Sequence, residues 1–187
     1  MQVLDALNQI QPLSQEAQEL ILETVEENKY PKGHHLLNFW EIDRYVHFIV
    51  KGSGRVYYIK NGHDVTDYIA LDQQFLGGVI SVFTQQASHK AIELTEASQL
   101  ESIKFTDFER LCAESLEIAN LGRRMMTWAF LECQERIESI RFLSASERYE
   151  ALEKKYPGIS NRIPLKHIAS YLGTSQVSLS RIRSGIQ

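Results

Sequence analysis

IPLKHIASYLGTSQVSLSRIR, residues 163–183, has the spacing of two short helices joined by a tight turn. A helix-turn-helix needs apolar side chains to hold its helices at their crossing angle, a small residue at the closest approach, and a turn residue that takes positive φ. Leu165, Ile168 and Leu172 supply the inner face of the first helix, Leu179 and Ile182 that of the second. Ala169 is the small residue and Gly173 follows it by four. Pro164 suits the first turn of the first helix, and Thr174 or Ser175 can cap the second. From Ser175 to Arg183 the outer positions carry Ser175, Gln176, Ser178, Ser180, Arg181 and Arg183. In such a motif the second helix enters the major groove, where Gln pairs with adenine and Arg with guanine. The expectation is that Gln176, Val177 and Arg181 meet bases, with Ser175, Ser178 and Lys166 on phosphates and Arg183 also in the interface. The bland alternative is a helical hairpin with a polar outer face.

The charge distribution points the same way. Residues 141–187 hold 8 Lys and Arg against 3 Asp and Glu, whereas residues 1–140 hold 12 against 21. A basic end on an acidic body is a hint of nucleic-acid binding at that end. With 187 residues, 43% hydrophobic and 24% charged, the composition is that of a globular protein rather than a disordered one. The sequence shows neither a basic leader nor an apolar run of membrane-spanning length, so the expectation is a cytoplasmic protein. Cys112 and Cys133 are too few for an iron–sulfur cluster or a tetrahedral metal site and read as reduced thiols on helices. His34, His35, His47, His63, His89 and His167 show no helical metal-ligand spacing, so neither metal nor cofactor is expected.

Upstream, the first thirty residues read as helix, with Leu13, Ala17, Leu20, Ile21 and Val25 in register, Ser14 as a cap, and Pro31 and Gly33 as the stop. From Leu36 to Phe105 short runs of Val, Ile, Tyr and Phe predict strands at Tyr45–Val50, Gly54–Lys60, Thr66–Leu71, Val79–Phe83, Ala91–Thr95 and Gln99–Lys104. Tyr45–Val50 and Gly54–Lys60 read as a pair joined through Lys51-Gly52-Ser53, and Asn61-Gly62 suits a type I′ turn. These strands predict a small antiparallel barrel or sandwich. From Phe108 to Leu143 there is no proline, and two apolar stripes predict one long helix that also packs on a second copy, with Gly122 and Ala129 allowing close approach. Ser144-Ala145-Ser146-Glu147 reads as a capping box opening a further helix that ends at Tyr156-Pro157-Gly158. The domain boundary is expected at Leu143–Ser144, dividing residues 1–143 from 144–187.

This order of elements resembles the Crp/Fnr family of bacterial transcription regulators. The resemblance rests on Tyr30-Pro31-Lys32-Gly33, on Phe48 to Ser53 with Arg55-Val56-Tyr57, and on Phe75-Leu76-Gly77. In the tail it rests on Ile168-Ala169, Leu172-Gly173-Thr174-Ser175 and Ser180-Arg181. It implies an α+β fold: an N-terminal antiparallel β-roll of the cyclic-nucleotide-binding type with flanking helices, a dimerisation helix over about 108–143, and a C-terminal all-α helix-turn-helix domain. It also implies a homodimer on an inverted-repeat site in double-stranded DNA, with RNA polymerase as a further partner and no membrane association.

The sequence departs from the family in two places. Members that bind cyclic nucleotide follow the turn glycine with a glutamate for the ribose hydroxyl and place an Arg-Ser pair about eleven residues on. Here Gly77 is followed by Gly78, and the matching pair is His89-Lys90. Glycine cannot accept from a hydroxyl, and Lys lacks the planar fork of Arg. Control by cyclic AMP is therefore not expected; Gly77, Gly78, His89 and Lys90 leave a pocket open to some other small anionic effector, but the expectation is a regulator that needs no ligand. The chain also reaches Gln187 four residues after Arg183, so the hairpin wing usual after the recognition helix is expected to be absent. The rival reading is a ligand-sensing module that acts through a protein partner. Catalysis is not expected, since no nucleophile–base pair or phosphate loop is recognisable.

Overall fold

The computed structural model describes residues 2–185. Two short helices, α1 (Val3–Ile10) and α2 (Gln15–Leu22), precede eight strands: β1 (Val25–Tyr30), β2 (His35–Leu37), β3 (Tyr45–Lys51), β4 (Gly54–Lys60), β5 (His63–Ala70), β6 (Gln74–Leu76), β7 (Ala91–Leu94) and β8 (Ser98–Lys104). A helix α3 (Val79–Thr84) interrupts them between β6 and β7. After the strands come α4 (Phe105–Glu114), α5 (Leu116–Phe142), α6 (Ala145–Lys155), α7 (Ile159–Arg162), α8 (Leu165–Tyr171) and α9 (Gln176–Arg183).

The strands form two four-stranded sheets of order β1-β8-β3-β6 and β2-β7-β4-β5. Because side chains alternate across a strand, each sheet has two apolar faces to cover. Ile49, Leu100, Val56, Ala70, Ile92 and Leu94 meet between the sheets. On the far side of the first sheet, Phe48 and Ile103 pack under α1, α2, α4 and α5 through Leu7, Ile21, Leu111, Ile118 and Leu121. On the far side of the second, Ile69 of β5 and Leu71 just after it pack under the C-terminal helices. Each fully buried Leu, Ile or Phe in these layers contributes about 1.5–3 kcal/mol.

The α+β architecture follows the sequence reading, with several corrections. Val25–Tyr30 is a strand, not the end of a helix: all six residues pair with β8, from Val25 opposite Ile103 to Tyr30 opposite Ser98. The N-terminal helical region is two helices, the second capped by Ser14, whose Oγ accepts from the Ala17 N–H. Val79–Phe83 is helical despite its β-branched composition, because it starts on the carbonyl of Gly78, which accepts from the Val82 N–H. The three-residue strands β2 and β6 are too short to show a period. β3 and β4 do not form a hairpin but belong to different sheets, and the corner between them is Gly52, at φ 123°; a Cβ there would lie 2.2 Å from Ser98 Oγ. The type I′ turn holds, with Asn61 and Gly62 at φ 52° and 76°.

The long helix is broken at Ser115, whose extended backbone ends α4 and whose Oγ accepts from the Ile118 N–H to open α5. Gly122 faces α4 rather than a second copy: a Cβ there would lie 3.3 Å from the Phe108 ring. α5 ends at Phe142, and Ser144 and Glu147 form the capping box of α6.

Candidate nucleic-acid interface

The helix-turn-helix has the geometry its sequence demands. α8 ends in a Schellman turn, with the Gly173 N–H donating to Ser170 O at 3.1 Å and the Thr174 N–H to Ala169 O at 2.9 Å. Gly173 takes φ 68°, the left-handed conformation that this turn requires. Ser175 caps α9, its Oγ accepting from the Ser178 N–H at 3.0 Å. Pro164 is the N-cap of α8 rather than part of its first turn. Ile168, Ala169, Leu172 and Leu179 are buried together, while Leu165 and Ile182 are half-buried. The opposite face is open: Ser175, Gln176, Val177, Ser178, Arg181 and Arg183 are all exposed, as is Lys166 on α8. All seven predicted contact residues thus lie on one unit, and Ser175 and Ser178 also bond each other through their hydroxyls at 2.8 Å.

This unit is seated on the β-roll. The Thr66 N–H on the edge of β5 donates to Ser170 Oγ at 2.9 Å. Gln74 Nε2 donates to Tyr156 Oη at 2.6 Å. Arg162, just before α8, donates to Asp72 Oδ2 at 2.6 Å, to Glu96 Oε1 at 2.5 Å and to the Gly52 carbonyl at 3.0 Å. Contacts to α5 are Lys155 with Glu132 at 3.1 Å and the Arg136 guanidinium over the Tyr171 ring at 4.6 Å. Arg148 donates to the Leu172 carbonyl at 2.9 Å and to that of Leu143, tying the end of α5 to the turn of the motif. No sequence signal marks Arg162 or Ser170, because their partners lie far away in the chain.

His167 on α8 is buried, and its pKa is lowered to about 4 by that burial and by the neighbouring Arg55 cation. Arg55 is itself nearly enclosed, bonded to Asp64 and Glu93 with its guanidinium 4.0 Å above the Tyr57 ring. Burial opposes ionisation of Asp64, yet the paired Arg55 holds its carboxyl below the usual range.

The turn at residues 75–90 is built differently from an open anion cradle. The Gly78 N–H, at the start of α3, donates to Asp43 Oδ2 at 2.6 Å, and Asp43 also accepts from the Tyr45 N–H at 3.2 Å. Asp43 is 3% exposed, and burial raises its pKa. A Cβ on Gly78 would lie 3.0 Å from that carboxylate and 3.2 Å from Leu37. Lys90 is paired with Asp67 at 2.7 Å, and His89 is exposed. Gly77, Gly78, His89 and Lys90 lie on either side of α3 and all line one groove that runs to α5, in which an internal carboxylate takes the Gly78 amide and an internal partner pairs the lysine. Among the described residues no group of three or more His, Cys, Asp or Glu is placed to hold a metal ion, and no helix is long and apolar enough to cross a membrane.

One apolar surface is left uncovered. Along α5, Met126, Phe130, Cys133, Ile137 and Ile140 are exposed at alternating spacings of four and three, a heptad-spaced apolar seam. The sequence reading grouped this seam with Gly122, which faces Phe108 of α4, and with Ala129, which is half-buried. Beside the seam runs a groove of about 1030 Å³ lined by Phe75, Ile80, Phe83, Met125, Ala129 and Glu132.

Comparison with protein-family models gives no match, and neither does comparison with curated proteins. Solved structures do match. FixK2 from Bradyrhizobium japonicum superposes with a TM-score of 0.73 at 16% identity, over 87% of this chain and 84% of that one. A transcriptional regulator of the Crp/Fnr family from Eubacterium rectale gives 0.68 at 20% identity, over 94% and 84%. The catabolite activator protein of Thermus thermophilus gives 0.58 at 18% identity, over 97% and 86%. The chain has the fold of these regulators, β-roll, long helix and C-terminal helical region together.

Proposed function

We propose that this chain is a DNA-binding transcription regulator of the Crp/Fnr type, a cytoplasmic homodimer that reads an inverted repeat and is not an enzyme. The observation that carries the reading is the helix-turn-helix itself. Its inner residues are buried, its turn is closed by a Schellman motif, and Gln176, Arg181 and Arg183 stand on the exposed face of α9. Those side chains have the donor and acceptor geometry for base edges and phosphates. The exposed heptad seam of α5 supports the dimer: a second copy pairing along it would bury Met126, Phe130, Ile137 and Ile140. Two recognition helices about 34 Å apart would then enter successive major grooves.

Control by cyclic AMP is not part of the proposal. Gly78 offers no acceptor for a ribose hydroxyl, its amide is taken by Asp43, and Lys90 is neutralised by Asp67. Titration calorimetry with cyclic AMP should give no heat of binding, and a micromolar dissociation constant would overturn this part. The main reading is tested by selection from a randomised duplex library together with analytical ultracentrifugation. An enriched palindrome and a dimer are expected. No enrichment and a monomer would reject the reading in favour of a module that acts through a protein partner.

A further inference from the structure

Arg162 lies between the roll and the reading unit, and its surroundings are more elaborate than a surface ion pair needs. One guanidinium reaches three separate turns of the roll: the Gly52 carbonyl between β3 and β4, Asp72 between β5 and β6, and Glu96 between β7 and β8. Part of the receptor is held by the roll itself, since Asp72 Oδ1 also accepts from the Gly52 N–H at 2.6 Å. Without the cation, two carboxylates would face each other. Arg162 is two residues before Pro164, the N-cap of α8, and Ser170 near the other end of α8 is bonded to the β5 edge. The first helix of the motif is thus held to the roll at both ends, and α9 is packed on that helix through Leu179.

We infer that Arg162 is a positioning residue which fixes the distance and angle of α9 from the dimer axis, so that the spacing of the two half-sites is set without a ligand. The inference rests on the proposed DNA-binding dimer. A planar fork with several directed donors can hold an orientation that a lysine point charge cannot. Arg162→Ala and Arg162→Lys should therefore loosen spacing before they abolish recognition.

The test is a gel-shift series on inverted repeats whose centre is lengthened or shortened by one base pair. Each step rotates one half-site by roughly 34–36° relative to the other. Wild type should lose at least about tenfold in affinity per step, whereas Arg162→Ala should lose less than about threefold per step while binding the optimal site more weakly. Arg162→Lys, which keeps the charge but cannot reach the Gly52 carbonyl, Asp72 and Glu96 with directed donors at once, should flatten the profile nearly as far as Arg162→Ala. An equal loss at every spacing, with the profile of both Arg162→Ala and Arg162→Lys as sharp as that of wild type, would reduce Arg162 to a stability contact and overturn the inference.

A measurement without DNA separates this from the parent reading. Spin labels at Lys60 on the roll and Ser184 after α9, in a cysteine-free background diluted with unlabelled protein, should give one narrow distance distribution that broadens in Arg162→Ala. An unchanged distribution would overturn the clamp even if DNA binding stands. A broadened one together with no palindrome would uphold the clamp and reject the regulator.

Discussion

Arg181 is exposed in the second turn of α9, where a guanidinium can pair with both guanine acceptors in the major groove. Arg181→Ala is expected to weaken specific binding by about 1–3 kcal/mol and to relax the choice at one base pair. Fluorescence anisotropy on single-base variants checks it, and an equal loss on every sequence would mark a phosphate contact instead. Gly78 is the other informative position. Glutamate there would supply the side chain that the Crp/Fnr resemblance places at this position, but its Cβ would press on the buried Asp43 carboxylate. Gly78→Glu is therefore expected to cost about 1–3 kcal/mol of stability, read from the denaturant midpoint, and to confer no cyclic AMP binding. The missing acceptor at Gly78 is visible in the sequence. The reason a simple substitution will not supply it is Asp43, thirty-five positions upstream and joined to it only by the fold.

At the level of elements, α5 has one face packed on its own domain and one left exposed. Ile118 and Leu121 are fully buried, whereas Ile137 and Ile140 are 44% and 51% exposed. Placing a charge in the exposed seam by Ile137→Glu is expected to yield a folded monomer, with unchanged helical circular dichroism and half the mass by ultracentrifugation. A variant that stays dimeric would place the interface elsewhere. Periodicity alone showed that α5 has more apolar surface than one docking face needs, but not which residues face which way. The same limit explains the other departures. Val25–Tyr30 is a strand because β8 supplies its backbone partners, and Val79–Phe83 is a helix because no strand does. Ser115 breaks the long helix without a glycine or proline, since its side chain replaces the hydrogen bond that the break removes.

Across the whole molecule, two buried histidines link stability to pH. His47, bonded to Ser102 Oγ at 2.7 Å inside the roll, and His167, beneath the reading unit, both have pKa values lowered to about 4. An unfolded histidine titrates near 6.5, so between about 6.5 and 4 the unfolded chain binds more protons than the folded one. Stability should be highest above this window and fall as pH drops through it, by up to about 1.4 kcal/mol per pH unit for each histidine. Thermal melts between pH 7.5 and 4.5 check the slope, and His167→Gln should flatten it. A melting temperature unchanged across the window would contradict the buried neutral state.

The helix-turn-helix, the α6 capping box, the Asn61-Gly62 turn and most of the strands are each specified by local residue chemistry: a cap, a positive φ, an alternation or a helical period. Which sheet each strand joins, which face of α5 is free, how Asp43 closes the Gly78 turn, and how Arg162 joins the helix-turn-helix to three turns of the roll were settled by the folded chain alone. Those outcomes depend on partners tens of residues apart, whose contacts exist only once the chain has paid the entropy of bringing them together.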